Sequence, residues 1–162
     1  MKKINSKKLI PAFLVLLVLF VIPFHGSDKG KIDYSNSSIQ FAINGTNLLW
    51  GYTPECFASL QSTKEGSRLT LMAGDKVYND TVRILLDLPG KPPWEILHNS
   101  SKIVILYAGR TYQGFVTVFL DDPIPEVGGL VTGVIEDCTL TWIGMDTTIS
   151  IGPAKFSLVR VQ

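Results

Sequence analysis

The chain has 162 residues, enough for one domain once any targeting segment is set aside. Its formal charge is +1, but Lys2, Lys3, Lys7 and Lys8 all fall in the first eight residues; from Asp28 onward 11 Lys and Arg stand against 14 Asp and Glu, about −3. A nucleic-acid partner needs a clustered positive face, and no basic run follows residue 8, so that class is excluded.

Leu9 to Phe24 is a run of sixteen residues with no charge and no hydrogen-bonding side chain. A basic start followed by an apolar run is what the export machinery reads. A core helix would not set four lysines flush against its own start. Residues 1–27 are therefore expected to form a signal peptide or a signal-anchor helix, meeting the membrane through residues 9–24. The rest of the chain is then extracytoplasmic: periplasmic, cell-surface or secreted. Cleavage stays open, because the run falls between a signal-peptide core and a comfortable span of roughly 20 residues. Cuts after Gly26 or Ser27 would put Phe24 or His25 where a small residue is wanted, which tips the balance toward an uncleaved anchor. No Cys lies near the end of the run, which sets aside a lipoprotein anchor.

Residues 28–37 are polar and read as a spacer, and 38–162 as the folded domain. Ile39, Phe41 and Ile43 alternate with polar or small residues, and Asn44-Gly45 leads into Leu48, Trp50 and Tyr52. Asn-Gly between two alternating runs predicts a tight hairpin, since both turn residues take positive φ. Further strands follow at Cys56–Leu60, Leu69–Ala73 and Val82–Leu88, the last stopped by Pro89-Gly90. A helix is the alternative only over Pro54–Ser62. Lys91-Pro92-Pro93 cannot supply ladder hydrogen bonds and predicts an extended connection. Ile103–Tyr107, apolar on both faces, predicts a central strand, and Gly114–Leu120 is rich in β-branched and aromatic residues. After a loop at Asp121–Gly129, one long strand is expected over Leu130–Trp142, with Gly133 marking a bulge or bend. Thr147–Ile151 and Lys155–Val161 close the chain. This is an all-β domain of about eight to ten strands, an antiparallel β-sandwich or small β-barrel, preceded by one N-terminal hydrophobic helix.

Ile39–Trp50 (IQFAINGTNLLW), with VTGVIEDCTLTW and ISIGPAKFSLVRV near the end, resembles a loose group of small exported bacterial envelope β-domains of unknown function. The resemblance spans roughly Ile39 to Val161 and implies an antiparallel sandwich or barrel. It implies no activity. The group's members are often lipoproteins, and here Pro153, Ala154 and Lys155 separate Gly152 from Phe156 where the group has a tight Gly-x-Phe.

Two cysteines, Cys56 and Cys138, fall in the exported part. Such a pair reads either as one disulfide or as two buried thiols acting as small hydrophobes. His98 is the one histidine past the spacer, in a polar loop without a Gly-x-Ser-x-Gly elbow or a zinc-ligand pattern, so no catalytic residue is assigned. Glu136-Asp137, adjacent in the expected strand, would point to opposite faces and could not share a cleft. Asp121, Asp122 and Glu126 could gather around calcium, although their spacing is not that of an EF-hand; a solvated turn is the plainer reading. Trp50 and Tyr52 on one strand face, with Trp94 after a Pro-Pro stretch, could form an exposed stacking platform. Aromatics at strand spacing more often build a core, which leaves Trp94 as the exposed contact. Asn36, Asn44, Asn79 and Asn99 each open an Asn-x-Ser/Thr sequon at an expected strand end or loop, a pattern that suits glycosylation or ordinary turn chemistry.

No cofactor is called for. The function expected is a non-catalytic envelope module, structural or partner-binding, held at the membrane and contacting an envelope protein or glycan. The alternatives are a barrel-type carrier of a small apolar ligand and a carboxylate-based hydrolase.

Overall fold

The computed structural model describes residues 31–75, 77–89, 99–121 and 123–162. The expected helix over residues 9–24, Trp94, His98 and the Lys91-Pro92-Pro93 connection lie outside them. The compact unit runs from Ile32 to Gln162, so it takes in Ile32–Ser37, which the sequence assigns to the spacer. Among the described residues there is no helix long and apolar enough to cross a membrane.

Among the described residues the fold is all-β, with eleven strands: β1 (Ser38–Ile43), β2 (Thr46–Gly51), β3 (Phe57–Ser62), β4 (Gly66–Asp75), β5 (Asp80–Pro89), β6 (Asn99–Tyr107), β7 (Arg110–Leu120), β8 (Leu130–Ile135), β9 (Cys138–Trp142), β10 (Thr148–Ile151) and β11 (Ala154–Arg160). Period-two alternation sends Ile39, Phe41 and Ile43 into the core, and Leu69, Leu71 and Ala73 do the same on β4. Asn44 and Gly45 take φ of 48° and 82°, the tight hairpin that Asn-Gly predicts. Pro54–Ser62 resolves into a turn and then β3; the helical alternative is not realised.

The expected long strand over Leu130–Trp142 is two strands. β8 runs straight through Gly133, and the break comes at Glu136-Asp137, both exposed and outside any strand. That break lets β8 pair with β7 and β11, while β9 pairs with β7 and β10. The meander β3-β4-β5-β6-β7-β8 then joins β11, and β11 returns to β3 in a parallel pairing, so the hydrogen-bonded circuit closes. β1 pairs with β11, next to β3, and with β10, and β2 pairs with β1. Among the described residues, β2 is the one strand with a single partner.

Candidate functional site

A cleft of about 510 Å³ opens beside β2, lined by Leu48, Leu49, Trp50, Asp75, Tyr78, Asp80, Tyr107, Ala108 and Gly109. Its near wall is the single-partner strand; its far wall is the β4–β5 and β6–β7 turns. Trp50 is buried at its floor, its ring edge-on to Phe41 with centroids 4.7 Å apart. Tyr78 is 75% exposed at the rim, beside the exposed Val77.

The two acids of the cleft also hold its far wall in shape. Asp75 Oδ1 accepts the Val77 N–H at 2.8 Å, closing an Asx-type turn. Asp80, buried, accepts the Ala108 N–H at 2.9 Å through Oδ1. Ala108 sits at φ 49°, a left-handed conformation that disfavours a side chain by about 1 kcal/mol, so this bond secures a turn that the local sequence does not favour. Asp80 thereby fixes the β6–β7 turn against the start of β5. Among the described residues that line the cleft there is no cation.

Of the residues singled out from sequence, only Trp50 contributes here. The aromatic platform is not formed: Trp50 is core, whereas Tyr52 lies beyond the end of β2, at φ 63° and exposed. Tyr78, Tyr107, Asp75 and Asp80 were not singled out. The available signal was a valine and a tyrosine in the otherwise polar turn Asp75–Asn79.

Cys56 and Cys138 do not bridge; both thiols are free and not at disulfide distance. Cys56 is packed ahead of β3, its Sγ 3.7 Å from Thr53 Oγ1 and 3.9 Å from the Gly74 carbonyl. Cys138 opens β9, opposite Ile151 of β10. The Thr53–Cys56 turn holds one thiol and the β9–β10 ladder the other, and a bridge would require one of them to yield. Burial, and then the adjacent Asp137 carboxylate, push the Cys138 thiol up to about 11. Its thiolate is therefore scarce at neutral pH, and iodoacetamide at pH 8 should alkylate native Cys138 on the order of 100-fold more slowly than the unfolded chain. A folded-state value above the unfolded ~8.5 also means that this stabilising contribution is intact below that pH and is lost as pH rises toward 11. Cys138→Ala should flatten the fall in urea midpoint across that window; rapid native alkylation would show that the thiol is not shielded.

Asp121 and Glu126 are exposed, Asp122 lies outside the described residues, and among the described residues no three acidic, His or Cys side chains gather as metal ligands. The β7–β8 loop is instead organised by Arg160. Its N–H donates to the Gly129 carbonyl at 2.8 Å, its carbonyl accepts from Gly128 N–H at 2.7 Å, and its guanidinium reaches the Pro125 carbonyl. The sequon asparagines sit at strand ends. Asn36 and Asn79 are exposed in turns, Asn99 starts β6, and Asn44 ties its turn to β10 by accepting the Ser150 N–H at 2.9 Å through Oδ1.

Among the described residues, fold and site together define an all-β domain with one open-edged strand facing an acid-bearing, partly apolar cleft. Comparison with known proteins finds no matching family, no similar curated protein and no similar solved structure.

Proposed function

We propose that the chain is an extracytoplasmic, non-catalytic binding module, held at the membrane through residues 9–24, and that the cleft beside β2 is where its partner docks. The observation that carries this reading is the union of an exposed apolar rim with the one strand, among the described residues, that lacks a second neighbour. Such features on a folded surface mark interaction sites. The interior of the strand circuit, read here as a small barrel, is occupied by a single cluster of side chains including Leu69, Ile84, Ile103, Val118 and Leu158, which favours binding at the surface over carriage inside. Asp75 and Asp80 each already hold a backbone N–H of their own walls, a positioning task rather than acid–base work.

Site-specific photo-crosslinking in native cells tests the reading. A benzoyl-phenylalanine placed at Tyr78 should yield a discrete adduct, whereas the same group at Phe115, which is exposed on β7, should not. No adduct from position 78, or equal adducts from both positions, would remove the cleft as the docking site.

A further inference from the structure

Resting on the reading of the cleft as a binding site, we infer that its occupant is an extended peptide segment that adds to the open edge of β2 and sets a Lys or Arg side chain against Asp75 and Asp80. The hydrogen-bond phase of the hairpin shows which groups are on offer. Tyr52 N–H donates to the Ser37 carbonyl at 2.6 Å, and Gly152 N–H donates to the Ala42 carbonyl at 2.9 Å on the opposite side of β1. With Ile39 opposite Trp50 and Phe41 opposite Leu48, Thr46, Leu48 and Trp50 turn their backbone groups toward β1. Asn47, Leu49 and Gly51 turn theirs to the open side. Two to three residues of edge are thus ready to pair, and the cleft runs along Leu48–Trp50.

Natural edge strands are usually blunted by a charge, a proline or a bulge. Thr46-Asn47-Leu48-Leu49-Trp50-Gly51 has neither charge nor proline, and its register with β1 is unbroken from Ser38↔Gly51 to Ile43↔Thr46. Every other strand among the described residues has two or more neighbours. The cleft also selects among occupants. Its volume, about 510 Å³, is that of a few residues of extended chain. Among the described residues its lining carries two acids, Asp75 and Asp80, and no cation. The hydrogen bonds to Val77 and Ala108 use one carboxylate oxygen each, and an ionised carboxylate accepts several. A cation would also meet the rings of Tyr78 and Tyr107, which line the same cleft. Main-chain pairing would then supply affinity and the acid-lined cleft the side-chain preference, the usual division of labour in strand addition.

The test pans the full chain, in detergent, against a pooled library of nine-residue peptides in which Thr and Val alternate with randomised positions. Selected peptides should carry Lys or Arg at one fixed position, and should slow hydrogen exchange at Asn47, Leu49 and Gly51 at least about tenfold. N-methylation of the peptide in the register facing β2 should abolish binding, and in the other register should not. That comparison needs no folded variant. Leu49→Pro, which removes an outward N–H and no rung to β1, should abolish binding as well. Asp75→Asn keeps an acceptor for Val77 but should weaken the cationic peptide about fivefold or more, sparing a neutral analogue. Binding that leaves the three amides unprotected, binding indifferent to the N-methyl register, or selection of acidic peptides overturns the inference while the crosslink at position 78 keeps the docking reading. Concentration-dependent self-association through β2 makes a second copy the occupant and also overturns it. No selected peptide together with no crosslink removes both.

Discussion

Ser37→Ala should lower the stability of the domain by about 2–4 kcal/mol, read as a drop of roughly 10 °C in melting temperature. Ser37 is fully buried one residue before β1. Its Oγ donates to the Cys56 carbonyl ahead of β3 and accepts the Val159 N–H of β11 at 3.0 Å. Its own carbonyl takes the Tyr52 N–H at 2.6 Å, and its N–H goes to the Tyr34 carbonyl at 3.0 Å. One hydroxyl therefore joins three segments distant in sequence. Alanine would leave a buried carbonyl and a buried N–H without this partner, and the cost of such orphaned groups exceeds the net gain from an ordinary hydrogen bond. The substitution keeps the sequon Asn36-x-Ser38 intact, so a loss of stability would not be a glycosylation effect. Asn36→Gln, which removes the sequon at an exposed turn, should leave the melting temperature unchanged. If Ser37→Ala melted within about 2 °C of wild type, the hydroxyl would not be joining these segments.

Gly133→Ala should cost about 3 kcal/mol or more and lower the urea midpoint by at least about 1 M. A Cβ at Gly133 would lie 2.1 Å from the Phe119 carbonyl oxygen and 2.7 Å from Cζ of Phe156. The first contact is backbone, on the strand that β8 pairs with, so relief means pulling β8 away from β7 where Leu120 faces Gly133. The second is the buried ring that packs across the glycine from β11, where Phe156 is the direct partner of Gly133. Phe156→Leu in the same chain should recover only part of the loss, because it removes the ring and leaves the carbonyl. A near-neutral Gly133→Ala would mean that the three strands are not drawn together at this point. Against a total stability of roughly 5–15 kcal/mol, either substitution removes a large share of what holds the domain folded.

The class of fold was legible along the chain because strand periodicity is local. Ile39, Phe41 and Ile43 alternate whatever they pack against, and Asn44-Gly45 turns the chain through its own φ preferences. The boundaries and the partners were less legible. Glu136-Asp137 does not look like a break until β8 and β9 are seen to share β7 along different halves of its length. Gly133, read as a bulge or bend, serves instead as the floor for Phe156, a residue more than twenty positions away. The cysteine pair offered two readings, and only the tertiary placement separates them: each thiol is fixed by a different set of neighbours.

The candidate site was almost wholly hidden. Tyr78, Tyr107, Asp75 and Asp80 come from two turns and Leu48–Trp50 from a third element, and no spacing in the chain announces that they converge. What the sequence by itself determined is the alternation and the hairpin at Asn44-Gly45, since each follows from a residue and its immediate neighbours. What only the tertiary structure decided is which strand is left with a single partner. That depends on the circuit closing between β3 and β11, strands nearly one hundred positions apart, so that among the described residues β2 alone remains with backbone donors and acceptors facing a cleft.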